Sequence, residues 1–138
     1  MISLKEGIRF HGHLGPYLVL GIRAGELALK KLNCKKYFGL EVKVWGAGEK
    51  PKSCLIDGLQ LSTGATYGKG NISKFNGRVI RIGFKNKVSR RKLILKFKNT
   101  LLKDLAEADT HQKAERLARQ LYKKNHAQLF NLKLTSGD

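Results

Sequence analysis

Apolar residues recur at helical spacing early in the chain. The positions that share this face are Leu18, Ile22, Leu29 and Leu32. Pro16 suits the first helical position, because its ring fixes φ and it has no N–H group to leave unpaired. The pattern predicts a buried helix from Pro16 to about Leu32.

Small residues form a second stripe along the same predicted helix. They are Gly21, Ala24, Gly25 and Ala28. The distance between two packed helices depends on the side chains at their contact, so this stripe lets another backbone approach closely. We therefore expect the helix to pack tightly against a neighbour in the core.

A strand and a second helix are predicted next. Leu40–Trp45 alternates apolar and polar residues, which is typical of a half-buried strand. Cys54–Thr63 has apolar residues at helical spacing. Ser53 is suited to cap the start of this helix, and Gly64 is suited to the left-handed position that follows its end.

Three strand candidates follow. Ile72–Phe75 and Arg78–Phe84 flank Asn76-Gly77, a pair favoured in two-residue hairpin turns. Lys92–Lys98 alternates again, with its leucines and Phe97 expected to face the core. These patterns predict a hairpin and one further strand.

The last part of the chain is predicted to be helical. Asp109 and Gln112 have the spacing of a capping box, which predicts a final helix reaching about Phe130. One parallel crossover plus a hairpin favours an α+β fold, in which a mixed sheet packs against helices in the order α-β-α-β-β-β. We expect a single domain over residues 1–138, with its core at about 10–98 and a helical tail at about 100–130.

Composition adds a strong positive charge to this picture. The 138 residues carry 28 Lys and Arg against 10 Asp and Glu, a formal charge of +18. With 41% hydrophobic residues and two cysteines, the chain is globular in composition and is not a disulfide scaffold. No apolar run reaches the ~20 residues that span a bilayer, and no signal-peptide pattern opens the chain, so a cytoplasmic protein is expected.

The charge is concentrated late in the chain. Residues 78–138 hold 16 Lys and Arg against 5 Asp and Glu, and residues 85–98 hold seven basic residues and no acidic one. Such a surface is either merely solvated, docks an acidic protein or binds nucleic acid. Aromatic residues are not interleaved with this basic stretch as base stacking would favour, so nucleic acid ranks second.

Two histidines form the first candidate metal-ligating pair. His11 and His13 are separated only by Gly12. In an extended backbone, residues two apart point to the same side, so both imidazoles could reach one ion. Alone, the pair is equally compatible with surface or hydrogen-bonded histidines.

Cys54 and Asp57 add donors of other types. Cys54 lies in the first turn of its predicted helix, where the helix dipole is expected to lower a thiol pKa. Asp57 follows three residues later on the same face and could supply an oxygen ligand or orient a histidine from behind. With His11 and His13, these residues supply the donor types of a catalytic zinc site.

A glycine-rich segment, Gly64–Asn71, contains a single lysine, Lys69. Its spacing differs from that of a P-loop, and it follows a helix instead of joining a strand to one. Backbone N–H groups and Lys69 could bind a carboxylate or phosphate there. A plain turn explains the glycines equally well.

Together these motifs resemble the FmdE family of formylmethanofuran dehydrogenase proteins, over about residues 10–84. The matching residues are His11, Gly12, His13, Pro16, Cys54, Asp57, Gln60, Gly64, Thr66, Gly68, Lys69, Gly70 and Asn71. The resemblance implies an α+β core, a homodimer and a divalent metal, zinc above others, bound by His11, His13 and Cys54, with Asp57 as ligand or as support.

The chain departs from the family pattern at three points. Gly15 and Ala65 stand where the family typically has cysteines, and the C-terminal zinc ribbon of many members is missing. The first two departures argue against a thiol-rich site. Two cysteines cannot ligate an iron–sulfur cluster of four cysteines, and no pterin signature is present, so neither cofactor is expected.

The resulting hypothesis is a metal-binding protein, accessory or standalone, that acts on a small anionic substrate. Cys54 and Lys69 are its candidate catalytic residues, as metal-bound thiolate or nucleophile and as an anion-steering cation. The alternative is a basic nucleic-acid-binding or assembly module without catalysis. His111 and His126 are interpreted as surface residues and Cys34 as a free thiol.

Overall fold

A computed structural model describes residues 1–136 as helices packed on one face of a five-stranded sheet. The helices are α1 (Leu4–His11), α2 (Pro16–Leu32), α3 (Cys54–Thr63), α4 (Asn99–Glu107), α5 (His111–Lys123) and α6 (His126–Leu129). The strands are β1 (Leu40–Trp45), β2 (Ile72–Phe75), β3 (Arg81–Asn86), β4 (Lys92–Phe97) and β5 (Phe130–Thr135). This arrangement confirms the predicted α+β fold.

The first predicted elements have the expected bounds. Helix α2 begins with Pro16 and ends before Asn33, which takes the left-handed conformation at φ 47°. Strand β1 and helix α3 also match, and Gly64 ends α3 at φ 76°. These boundaries follow from local signals, namely apolar periodicity and terminal residues, that the surrounding fold does not override.

The sheet has the order β2-β1-β3-β4-β5. Strand β2 pairs in parallel with β1, which confirms the crossover through α3. The predicted hairpin between β2 and β3 is wrong, because β1 lies between these strands and pairs antiparallel with β3. Gly77 packs against Gly46, and a Cβ at Gly77 would lie 3.1 Å from the Gly46 nitrogen. The glycine therefore serves a tertiary contact instead of a two-residue turn.

The C-terminal part differs most from the prediction. Instead of one helix to Phe130, it forms three helices and a fifth strand, β5, which pairs antiparallel with β4. Thr110, and not Asp109, caps α5, because its side chain accepts a hydrogen bond from the Lys113 nitrogen. The buried side chain of Arg23 then fixes the end of α5, donating to the carbonyls of Leu121 and Tyr122 at 2.8 and 2.9 Å.

Helices α2 and α3 cross in close contact at the small-residue stripe, as predicted. A Cβ added to Gly58 would lie 2.8 Å from the Cα of Gly21, so both positions exclude a larger residue. Ser62 Oγ reinforces the crossing by donating to the carbonyls of Gly58 and Gly21, at 2.8 and 3.2 Å. This contact fixes the start of α3, where Cys54 lies, relative to the start of α2. Among residues 1–136, no helix is long and apolar enough to cross a membrane.

Candidate metal centre

The two histidines of the first motif lie where α1 ends. His11 is the last residue of α1, and Gly12 follows at φ 109° with its N–H bonded to the Ile8 carbonyl at 2.7 Å. The left-handed turn redirects the chain, so that the His11 and His13 rings lie with their centroids 4.7 Å apart. The extended backbone expected here is replaced by a helix end, but the two imidazoles still converge.

Cys54 approaches the same point from α3. One donor atom each of His11, His13 and Cys54 lies within 4.8 Å of the other two. A single zinc ion with bonds of about 2.0–2.3 Å can bridge such donors after small side-chain rotations. The tertiary structure therefore brings together three of the four predicted ligands, from residues more than forty positions apart in sequence.

Asp57 lies behind His11. Its Oδ2 is 2.6 Å from Nδ1 of His11, the length of a charge-assisted hydrogen bond. A carboxylate at Nδ1 holds the proton there and leaves Nε2 as the free donor atom toward a metal. Of the two roles left open for Asp57, this contact favours support of a histidine.

His11 Nε2 provides the test of whether a metal fits. The His11 side chain is only 10% exposed, and its Nε2 is buried without a hydrogen-bond partner among residues 1–136. Burying a polar nitrogen without a partner costs about 1–3 kcal/mol. An ion held with His13 and Cys54 would satisfy this nitrogen, so the residues present fit a metal.

The thiol of Cys54 behaves differently from the expectation. Burial raises its pKa, and the nearby Asp57 carboxylate raises it further, with only partial opposition from Lys50. The helix position alone predicts a lowered pKa, which is wrong because desolvation outweighs the dipole. In the metal-free protein the thiol therefore keeps its proton, which a metal must displace on binding.

A cleft of about 350 Å³ adjoins these residues. His13 and Cys54 line one side, and the start of α5, including Thr110 and His111, lines the other. The His111 ring stands edge-on to the His13 ring at 6.5 Å between centroids. The interpretation of His111 as an ordinary surface residue misses this contact. No sequence signal pairs it with His13, because α5 reaches the cleft only through its packing on α2.

Lys69 lies elsewhere. Its Nζ is 5.9 Å from the Tyr37 ring centroid and 5.7 Å from that of Phe38, and it does not line the cleft beside Cys54. The surrounding segment is held by Asn71, which accepts from the Thr66 nitrogen at 3.0 Å and donates to the Tyr37 carbonyl. The predicted anion-steering role of Lys69 thus stays a prediction without support from its surroundings.

The two positions that lack the family's cysteines occupy different environments. A Cβ at Gly15 would lie 3.4 Å from Cε1 of His13, in ordinary contact with that ring. Ala65 is fully buried. A thiol at position 15 would therefore adjoin the metal-ligating group, and the glycine leaves room beside His13.

The family model named FmdE, described as molybdenum formylmethanofuran dehydrogenase operon, matches residues 10–135. The chain belongs to the FmdE family. Its fold is similar to the crystal structure of an FmdE-like protein of tungsten formylmethanofuran dehydrogenase from Syntrophus aciditrophicus, with a TM-score of 0.63 and 19% identity. That similarity covers 96% of this chain and 70% of the other.

A curated relative is also similar in sequence. It is a probable S-adenosyl-L-methionine-binding protein of Archaeoglobus fulgidus, 33% identical over 78 residues. The match covers 52% of this chain but only 19% of the relative, so the chain spans about a fifth of that protein. This FmdE-family chain thus shares one segment with a much longer protein.

Proposed function

We propose that this FmdE-family protein binds a divalent metal ion, zinc, through His11, His13 and Cys54. The observation that carries the proposal is the buried, unpartnered Nε2 of His11, with Asp57 hydrogen-bonded to the opposite ring nitrogen. Two imidazoles and one thiolate form a borderline-soft donor set, which suits zinc better than magnesium or calcium. Three protein ligands leave one coordination position open.

The cleft supports a small anionic substrate at that open position. The thirteen-residue helix α5 begins there, and a helix N-terminus favours negative charge. His111 can donate a hydrogen bond across the cleft, whereas the nearby Asp109 is already engaged by Lys113 at 3.1 Å. When bound, zinc supplies a Lewis acid or a water of lowered pKa.

The chain's own residues would perform three tasks in such a site. Asp57 keeps the proton of His11 on Nδ1, so that Nε2 remains a donor to the metal. His111 positions the anion from the opposite wall. The apolar side chains of Leu14 and Leu105 line the cleft and exclude water around the substrate, which strengthens electrostatic contacts there.

Metal content tests the first part of the proposal. Untagged protein is purified and its metals are measured by inductively coupled plasma mass spectrometry, for the wild type and for His11→Ala and Cys54→Ser. Cys34→Ser is the matched control, since Cys34 is the other free cysteine and lies outside the cluster. We expect about one zinc per chain in the wild type and the control, and little in the two site variants. Equal metal in all four proteins would refute the site.

Anion binding tests the second part. Cobalt-loaded protein is titrated with acetate, while its visible spectrum reports entry into the open coordination position. His111→Asn is expected to weaken acetate binding without loss of cobalt, whereas Gln112→Ala, on the same helix turn, leaves it unchanged. S-adenosyl-L-methionine is included as a second probe because it is named for the Archaeoglobus relative. An unchanged acetate affinity in His111→Asn would exclude the cleft as the anion site.

A further inference from the structure

The sheet has one face that its helices do not cover. Alternate residues of β1, β3, β4 and β5 point away from the core, and the basic ones among them are Lys43, Arg81, Lys85, Lys92, Lys96 and Lys133. We call this surface the outer sheet face. Lys43, Lys92 and Lys96 are exposed on it, and a shallow depression of about 260 Å³ opens between β1, β3 and β4.

The charges of the outer sheet face are not neutralised internally. Lys85 lies directly opposite Lys92 in the strand register, and Arg81 lies opposite Lys96. Within residues 1–136, none of the six basic residues forms an ion pair, although Glu41 lies opposite Lys85. Like charges in cross-strand pairs are destabilising, so a bound polyanion would relieve this face. A second copy of the chain would instead bring like charges together.

Aromatic rings adjoin the charged rows at one end of the face. The Trp45 and Phe75 rings are stacked with centroids 5.3 Å apart and planes at 24°, and the Arg81 guanidinium carbon lies 4.2 Å from the Trp45 ring centroid. Gly83 leaves room for this arrangement, since a Cβ there would lie 3.2 Å from the Trp45 ring. Phe75 is 42% exposed and offers ring surface for further stacking.

We propose that the outer sheet face binds single-stranded nucleic acid. Bases would stack on Phe75 beside Trp45, while phosphates would lie along the rows formed by Lys85, Lys92 and Lys96. A single strand exposes its bases to such a platform, whereas a duplex hides them. An anion without bases would use the lysines but leave the rings without a function. This binding is separate from the metal centre and does not depend on it.

The sheet itself explains why the linear sequence argues against this ligand. The basic stretch of residues 85–98 lacks aromatic residues that alternate with its charges. The stacked rings come from β1 and β2, which are strands distant in sequence and placed next to β3 and its charges by the sheet order. Pairing places Trp45 opposite Arg81, and therefore beside the charged rows.

The fluorescence of Trp45 provides a direct assay, because it is the only tryptophan in the chain. The full-length protein is titrated with twelve-nucleotide oligouridylate and oligothymidylate, with duplex DNA, with inorganic polyphosphate and with polyglutamate, at several salt concentrations. We expect saturable quenching by the two single strands and a linear fall of log affinity with log salt. Tighter binding of one of them distinguishes RNA from DNA as the source.

Matched variants separate stacking from charge. Phe75→Leu keeps an apolar side chain but removes the ring, and should weaken binding about 5- to 100-fold, the range for one lost base stack. Lys92→Gln with Lys96→Gln should reduce the salt slope by about 1.4, or ~0.7 per phosphate contact. The control pair, Lys103→Gln with Lys123→Gln, removes equal charge from exposed positions on α4 and α5 and should change affinity much less.

Three results would overturn the proposal. Equal weakening by both lysine pairs would mean attraction by net charge alone. Unchanged affinity in Phe75→Leu, with polyglutamate or polyphosphate binding as tightly as the oligonucleotides, would mean an acidic protein or simple polyanion partner. A dimer that dissociates in Phe75→Leu, measured by light scattering without nucleic acid, would mean that a second copy covers the face. Thermal unfolding confirms that each variant is folded, and zinc content measured alongside keeps the two proposals independent.

Discussion

Asp57 and His11 are joined by a contact of 2.6 Å between Oδ2 and Nδ1, across 46 positions of sequence. Asp57 lies one turn into α3, and His11 is the last residue of α1, so the contact links two helices at the metal-ligating cluster. Because Asp57 occupies Nδ1, only Nε2 of His11 remains for an ion, and that nitrogen is the buried one without a partner among residues 1–136.

Removing the charge of Asp57 should weaken metal binding. Asp57→Asn keeps the size of the side chain but lowers the basicity that it confers on His11, so we expect a loss of about 10- to 100-fold in zinc affinity. Competition with a chromophoric chelator measures it. Glu49→Gln, an exposed carboxylate outside the cluster, is the control and should bind zinc normally. Equal affinities for both variants would show that Asp57 does not support the ligand.

Restoring a cysteine at position 15 should strengthen the site. Gly15 has an extended backbone at φ −142°, which any residue can adopt, and its Cβ direction meets the His13 ring. Gly15→Cys is expected to bind zinc more tightly and to add thiolate absorption to the cobalt spectrum. Gly15→Ser, of nearly the same size, should do neither. A cobalt spectrum for Gly15→Cys identical to that of the wild type would place position 15 outside the metal's reach.

A methyl group at the crossing of α2 and α3 should destabilise the protein. In Gly58→Ala the new carbon would meet the backbone of α2, including the Ile22 nitrogen at 2.8 Å. Overpacking of this kind costs about 1–3 kcal/mol, and more where backbone must move. Gly48→Ala has open space around it and should change stability little. Urea unfolding measures both, and equal midpoints would contradict the tight crossing.

The stability of the protein should fall as pH drops through the range where His126 titrates. Burial lowers the pKa of His126, and the positive charges of Arg23, Lys30 and Lys31 lower it further. The unfolded chain therefore binds this proton more readily than the folded one does. The contribution is fully present above the unfolded pKa, near 6.5, and is lost as pH falls toward the lower folded value.

His126→Gln tests this dependence. The urea midpoint of the wild type should decline more steeply than that of the variant between about pH 7.5 and pH 5, because glutamine cannot take up the proton. His126 Nε2 is buried without a partner among residues 1–136, so a neutral replacement is compatible with the position. Parallel pH profiles for the two proteins would assign the acid sensitivity to other groups.

Local signals are enough for the first half of the fold. Helix α2, strand β1 and helix α3 begin and end where periodicity, Pro16 and Gly64 predict, because those signals act within a few residues of each boundary. The hairpin after β2 is wrong because Asn76-Gly77 is a local preference, whereas β1 competes for both strands through buried long-range pairing. Strand β5 escapes prediction because its edge pairing with β4 outweighs the helical pattern before it.

The sequence by itself determined the donor types of the metal centre, since His11 with His13, and Cys54 with Asp57, are each close neighbours along the chain. Only the tertiary structure decided that Asp57 contacts His11, that His111 faces His13, and that aromatic rings adjoin the lysines of the outer sheet face. The physical reason is the range of the interactions. Periodicity and capping act within one or two turns, whereas helix crossing and strand order join residues that no local pattern connects.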